Sequence, residues 1–394
     1  MRKQKNIFAV IFIFMMMILS AMCDNVRGPF IPTLKQEFLI SNKGISLMVV
    51  MCSLGYMLFT FIGGILCEKI GQKKVFILGF MFMIFPLIGL YFCNSFTVLI
   101  TELFLLNVGQ AFIAIGTNTI IPIIAISFQA ILMNLTHFCY GLGATFTQRV
   151  TGVMLYRGVT WKQIYFIISI ITIIIFIGFI FVKIPEPHNI KNKEKINIKV
   201  ILQNRLLYLY MIALGAYVAA EMNTGIWFVN FMHDTYKFDG NKSSYYAALF
   251  FGTFAVGRLL GGFVAEKFGY IKTVLVSVII AFVLYISGLF IGENGITIIA
   301  MSGVFFAITF PTVVLTINKV FEKNISFITG LIITVASGTS MLINILIGAL
   351  NDSIGVYKAY YVIPVCLLIC VVFTYLIHIN TKDILVKNRR EQNV

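Results

Sequence analysis

Charge is the ingredient this chain has least of: Asp, Glu, Lys and Arg make up 11% of its 394 residues, against about a quarter in a soluble protein. So few charges cannot clothe a surface that meets water, while a surface that meets hydrocarbon needs almost none. Alternating apolar–polar runs of about ten residues are missing, which argues against a transmembrane β-barrel. There is no Walker phosphate loop, so nothing points to a nucleotide-driven pump. No His, Cys and acidic residues fall at metal-ligand spacing, so neither a metal nor a cofactor is expected, and no hydrolytic or redox constellation marks an enzyme. The seven cysteines (Cys23, Cys52, Cys67, Cys93, Cys139, Cys366, Cys370) are scattered through apolar segments and read as buried free thiols. Buried charges are also too few for an ion pump with a long carboxylate relay.

What the chain does have is apolar length. The runs Ile7–Cys23, Val75–Cys93, Ile164–Val182 and Val362–Ile379 contain no Asp, Glu, Lys or Arg, and each is long enough to cross a hydrocarbon layer about 30 Å thick as a helix. Twelve spans are expected, at 7–30, 44–66, 74–93, 97–122, 130–154, 163–183, 206–232, 244–265, 272–291, 295–319, 326–348 and 358–379. The expected fold class is therefore an all-α membrane protein. The net charge of +15 raises nucleic acid as a partner, but its distribution has a simpler account. With both termini in the cytoplasm, the cytoplasmic segments hold Lys and Arg in roughly threefold excess over the outer loops, as the positive-inside rule requires. No nucleic-acid partner is expected; the lipid bilayer is. Arg2, Lys3 and Lys5 before an apolar run resemble a signal peptide. Met22 stands where a lipoprotein signal needs a small residue before Cys23, and many spans follow, so the run reads as an uncleaved first helix in an inner (plasma) membrane.

One stretch breaks the pattern. Residues 185–204 carry Pro185, Pro187 and Lys191, Lys193, Lys195 and Lys199, a basic cytoplasmic linker near mid-chain. It divides the sequence into an N-terminal six-helix bundle (1–184), the linker (185–204), a C-terminal six-helix bundle (205–380) and a cytoplasmic tail (381–394). The halves echo one another. Gly64, Glu68, Lys69, Gly71 and Lys74 lie between the second and third spans, and Gly262, Glu266, Lys267, Gly269 and Lys272 recur between the eighth and ninth at an offset of 198 residues. Pro122 in span four has a counterpart in Pro311 of span ten. A parallel six-helix repeat is a transporter architecture, with its solute site expected where the halves meet. The repeated loop has a physical logic as a conformational latch. Its glycines permit close helix approach and a tight turn, and its carboxylate can meet a helix N-terminus. The alternative is a plain short turn with its topogenic lysines.

Ionisable groups inside spans are costly and invite explanation. Asp24 lies two-thirds along span one, as a proton-binding carboxylate or as the structural partner of Arg27 three residues on. Glu221 lies mid-span with no cation within a turn, either accepting a proton or a solute hydroxyl or, neutral, bonding another helix. His137 in span five titrates near neutrality and is the third proton-coupling candidate, against a purely structural role. Asn118, Asn134, Gln148, Asn223, Trp227, Asn230 and Asn344 are the candidates for lining a solute cavity, Trp227 as an aromatic platform or as an interface anchor. Arg258 is expected to make a rim contact, with Glu266 two turns on.

On these residues the chain resembles the major facilitator superfamily. Residues 64–73 resemble its Gly-x-Leu-Ala-Asp-Arg-x-Gly-Arg-Lys loop, with Cys67, Glu68, Lys69 and Gln72 as the departures. Trp161-Lys162-Gln163-Ile164-Tyr165-Phe166 is similar to its lead-in to the sixth helix, Pro185-Glu186-Pro187 to the exit, and Gly348 through Gly355 to the close of the eleventh. Within it, Thr117-Asn118, Pro122, Asn134 through Ala144, Glu221 through Trp227 and Phe310-Pro311-Thr312 resemble the fucose–galactose–glucose:proton symporters and their bacterial relatives. That subfamily's acidic residue four positions before the span-four Asn is Ala114 here. The resemblance implies alternating access and import of a small solute, a sugar, with a proton or other cation. A monomer is expected. Two rival readings stand beside it: efflux of amphipathic compounds, which drug resistance on expression would favour, and a non-transporting membrane sensor, which would bind without counterflow.

Overall fold

The computed structural model describes residues 2–40, 42–124, 128–184, 198–238 and 240–392. Most of the linker, including Pro185, Pro187 and Lys191 to Lys195, lies outside them. The described residues are helical, with no strand among them. Among the described residues twelve principal helical stretches follow in chain order: α1 (Arg2–Asn25), α2 (Asn42–Ile70), α3 (Gln72–Tyr91), α4 (Phe96–Ile124), α5 (Gln129–Tyr156) and α6 (Trp161–Ile180), then α7 (Arg205–Tyr236), α8 (Gly240–Phe268), α9 (Tyr270–Ile291), α10 (Ile296–Met301, Gly303–Phe306 and Thr309–Val320), α11 (Ile325–Ile354) and α12 (Val362–Gln392), with shorter helices at Arg27–Glu37, Ile198–Leu202 and Val356–Ala359. Among the described residues, eleven segments are long and apolar enough to cross a membrane. The remaining long helix is α5, 28 residues richer in Asn, Gln, Thr and His.

Two expected spans differ in detail. The first does not run evenly to residue 30: α1 ends at Asn25, the chain turns at Val26, and a second helix runs Arg27–Glu37. The tenth is broken into three pieces. Pro311 has no N–H to offer the carbonyl four residues back, and the helical pattern lapses there, at Ala307 and Ile308.

Local chemistry sets the ends. Thr160 opens α6 with a capping box: its hydroxyl accepts from Gln163 N at 3.3 Å, and Gln163 Oε1 accepts from Thr160 N at 2.9 Å. Asn204 caps α7 by accepting from Leu206 N at 2.9 Å. Gly71 and Gly269, the last glycines of the repeated loops, hold φ of +85° and +96°, with ψ values that L-residues rarely adopt.

Faces are set by periodicity. On α6, Ile164, Tyr165, Ile168, Thr172, Ile175 and Phe179 are buried, while Phe166, Ile167, Ile170, Ile174 and Ile177 are exposed. Both stripes are spaced three to four residues apart and both are apolar, the signature of a helix between protein and hydrocarbon. On α12, Val365, Leu368, Ile369, Val372, Tyr375 and Ile379 form a similar exposed stripe.

The chain divides into two compact units, residues 1–125 with 136–194, and 126–135 with 195–394. In the first, α4 packs on α1, α2 and α3, while α6 packs on α1 and α3. In the second, α10 packs on α7, α8 and α9, and α12 on α7 and α9. The internal repeat is therefore also a repeat of helix neighbours. It extends to single residues: a Cβ on Gly63 would press on Ile115 of α4, and one on Gly261 would press on Ile308, beside the break in α10.

Candidate functional site

In the second unit the polar interior is built on α7. Glu221 faces Arg258 of α8, with Arg258 Nη2 3.4 Å from Glu221 Oε1 and side chains only 12% and 13% exposed. The guanidinium also lies over the Phe254 ring, 4.4 Å from its centroid. Arg258, for which the sequence suggested a rim contact, is paired with Glu221 in the interior of the unit. Sequence spacing missed the pair because its members are 37 residues apart and meet only when α7 and α8 pack. One turn before Glu221, the Tyr217 hydroxyl donates to Phe306 O at 2.7 Å.

Beyond Glu221, α7 leans on α11 through two residues a turn apart. Asn223 is fully buried; its Nδ2 donates to Ala219 O at 2.8 Å and to Ser340 O at 3.3 Å. Trp227 Nε1 donates to Asn344 Oδ1 at 2.8 Å. Residues 223 and 227 share one helix face, as do 340 and 344, so the two contacts form a ladder that fixes the indole in place. Asn230 is half-buried beyond it. Thr224, Tyr285 and Tyr360 form a buried hydroxyl chain, 3.2 Å from Thr224 Oγ1 to Tyr285 OH and 2.7 Å from Tyr285 OH to Tyr360 OH. No sequence signal marked it, since its members come from three distant segments: α7, α9 and the turn before α12.

In the first unit, Asp24 and Arg27 form an ion pair, and Arg27 Nε also donates to Asp24 O at 3.0 Å. Tyr140 of α5 donates to Asp24 Oδ2 at 2.7 Å. His137 is buried one turn before Tyr140 on the same helix. On α4, Gln110, Thr117 and Asn118 are buried, and Gln110 Nε2, Thr117 Oγ1 and Asn118 Oδ1 have no hydrogen-bond partner among the described residues. The Gln148 side chain lies outside the described residues.

The repeated loops are placed as follows. In the second unit, Glu266 Oε1 accepts from Ala130 N at 2.8 Å, at the opening turn of α5, and Oε2 accepts from Tyr270 OH at 2.9 Å. A Cβ on Gly262 would meet the backbone of Ala130 and Ile131. Asn134 is buried one turn further along α5, its Nδ2 donating to Ala130 O at 2.9 Å and lying 3.5 Å from Thr312 Oγ1. Lys267 is exposed over the Phe268 ring. In the first unit, Gly64 and Gly71 are buried, Glu68 is half-buried and Lys69 exposed. Among the described residues no three His, Cys, Asp or Glu come together as a metal site.

Comparison with known proteins gives a consistent picture. The sequence profile described as Major Facilitator Superfamily matches residues 13–337 and 217–393. Bypass of stop codon protein 6 of Saccharomyces cerevisiae is 26% identical over 286 residues, covering 66% of this chain and 57% of its own length. The chain thus spans less than two thirds of that relative. The glucose/galactose transporter of Brucella abortus is 24% identical over 365 residues, 85% of this chain and 86% of its own. The crystal structure of the E. coli fucose:proton symporter FucP superimposes with a TM-score of 0.82 at 16% identity, covering 95% of this chain and 99% of the other.

Proposed function

Since the chain belongs to the major facilitator superfamily, and is a multi-pass membrane protein, we propose that it is a secondary active transporter. It imports a small polar solute, a sugar, together with a proton, by alternating access. It works as a monomer in the inner membrane with both termini in the cytoplasm. Its two six-helix bundles are residues 1–184 and 205–380, joined by the basic linker 185–204 and followed by the tail 381–394.

The observation that carries the reading is charge balance. The interior carboxylates Asp24 and Glu221 each face an arginine, Arg27 and Arg258. Each unit also holds neutral polar groups: the amide of Asn118 in the first, and in the second the amides of Asn223 and Asn344, the hydroxyls of Thr224, Tyr285 and Tyr360, and the Trp227 indole. Such groups recognise a neutral hydroxylated solute better than an organic ion. Glu221 is the proton site in this scheme. A proton dissolves its pair with Arg258 and proton release restores it, giving α7 and α8 two arrangements that an ion gradient can bias. Asp24, held by Arg27 and Tyr140, is the second coupling candidate, and His137, one turn before Tyr140 on α5, is the third. The loop residues Gly64, Glu68, Lys69 and Gly71, with Gly262, Glu266, Lys267 and Gly269, act as the conformational latch.

The test is Glu221→Gln in proteoliposomes. Proton-driven accumulation is lost while counterflow exchange persists, because exchange needs no proton turnover. Normal accumulation by the variant would remove Glu221 from the mechanism.

A further inference from the structure

The polar interior of the second unit has a polarity of its own. Asn223 commits its amide nitrogen to Ala219 O and Ser340 O. A backbone carbonyl can only accept, so the amide's orientation follows from chemistry: nitrogen toward the helix, oxygen away from it. That oxygen, Asn223 Oδ1, is buried with no partner among the described residues. Asn134 repeats the arrangement, with Nδ2 on Ala130 O at 2.9 Å and Oδ1 without a partner. The neighbouring donors are committed in the same way. Trp227 Nε1 is held by Asn344, and Thr224 Oγ1 donates to Ala220 O at 2.8 Å. One turn further along the same helix face stands the Trp227 indole, so this face of α7 carries an amide oxygen with no partner among the described residues and an aromatic ring.

A buried acceptor left unpaired costs about 1–3 kcal/mol, and the native fold carries that cost at Asn223. We propose that Asn223 Oδ1 is a specificity determinant that accepts a hydrogen bond from one hydroxyl of the solute, whose carbon face lies against Trp227. The proposal rests on the sugar-transport reading above and narrows it: the site reads the hydroxyl as a donor, not as an acceptor. Solutes that lack the hydrogen, or present only acceptors, are rejected. The balanced Glu221–Arg258 pair leaves no net charge to favour an amine in the same place.

The experiment uses the purified full chain, with D-galactose and its series of monodeoxy and monodeoxyfluoro analogues as probes. Fluorine replaces the hydroxyl with a group that cannot donate. At one ring position both analogues compete in counterflow at least about tenfold more weakly than galactose, the loss expected for one hydrogen bond to a buried group. Asn223→Leu exchanges galactose and those two analogues alike. In the solute-free state it melts at or above the wild-type temperature, because an unpaired polar atom has been removed. A fluoro analogue that competes as well as galactose at every position overturns the proposal, as does undiminished discrimination in Asn223→Leu. If the wild type exchanges no hexose, the sugar reading falls by itself. The solute-free melt of Asn223→Leu then decides the assignment: a drop of several degrees marks Asn223 as structural, and an unchanged or raised midpoint keeps it as a recognition group.

Discussion

Glu221 stood out in the sequence because nothing charged surrounds it between Leu206 and Met232, and an isolated carboxylate in an apolar run demands a partner. The partner, Arg258, could not be read there, since it depends on which faces of α7 and α8 meet. The pair makes a sharp prediction. Arg258→Gln leaves an enclosed carboxylate without its counter-charge, a loss of about 3–5 kcal/mol. The double variant Glu221→Gln/Arg258→Gln recovers most of it, and thermal melts of the four proteins in a mutant cycle measure the coupling. Asp24 was legible in the same way, and Arg27 beside it too, because a three-residue spacing brings two side chains within reach of each other, as it does here across the turn at Val26. Tyr140, which completes the group at 2.7 Å, comes from α5 and carried no signal. Tyr140→Phe leaves Asp24 with Arg27 alone, and transport kinetics against pH detect the change as a shifted profile, whereas a merely packing role leaves the profile where it was.

At the scale of helices and turns, the glycine spacing of the loops was the most readable feature, because a turn between adjacent spans leaves few alternatives. Gly269 has φ +96° and open space where a Cβ would sit. Gly269→Ala therefore isolates backbone strain, about 1–3 kcal/mol, visible as a lower melting temperature with no steric contribution. Gly262→Val does the opposite: its side chain strikes the backbone of Ala130 and Ile131 and displaces the opening turn of α5 from Glu266. A single cysteine placed at Ile131 becomes more reactive toward a water-soluble maleimide in Gly262→Val and in Glu266→Ala. Equal reactivity in all three backgrounds would mean that Glu266 does not hold this turn. The breaks within α1 and α10 were less legible. Pro311 announced one of them, but the turn at Val26 and the lapse after Met301 depend on tertiary packing that local propensity does not record.

For the whole molecule, the scarcity of charge and the length of the apolar runs made the membrane class plain, and the recurring loop made the two-fold repeat plain. The structure adds that the repeat governs helix neighbours, α4 and α10 each packing on three helices of their own unit. What the sequence did not carry was which polar side chains come together, because those contacts join helices far apart in the chain. The proposed orientation rests on the basic bias and predicts that reporters fused at both termini read the cytoplasmic side; opposite readings at the two ends would break the twelve-span arrangement. The central claim is proton-driven uptake of a neutral sugar, and it is tested most directly in proteoliposomes holding the purified chain under an imposed inward proton gradient. Labelled galactose accumulates above its external concentration and drains when a protonophore collapses the gradient; accumulation that ignores the protonophore, or galactose that never exceeds equilibration, contradicts it.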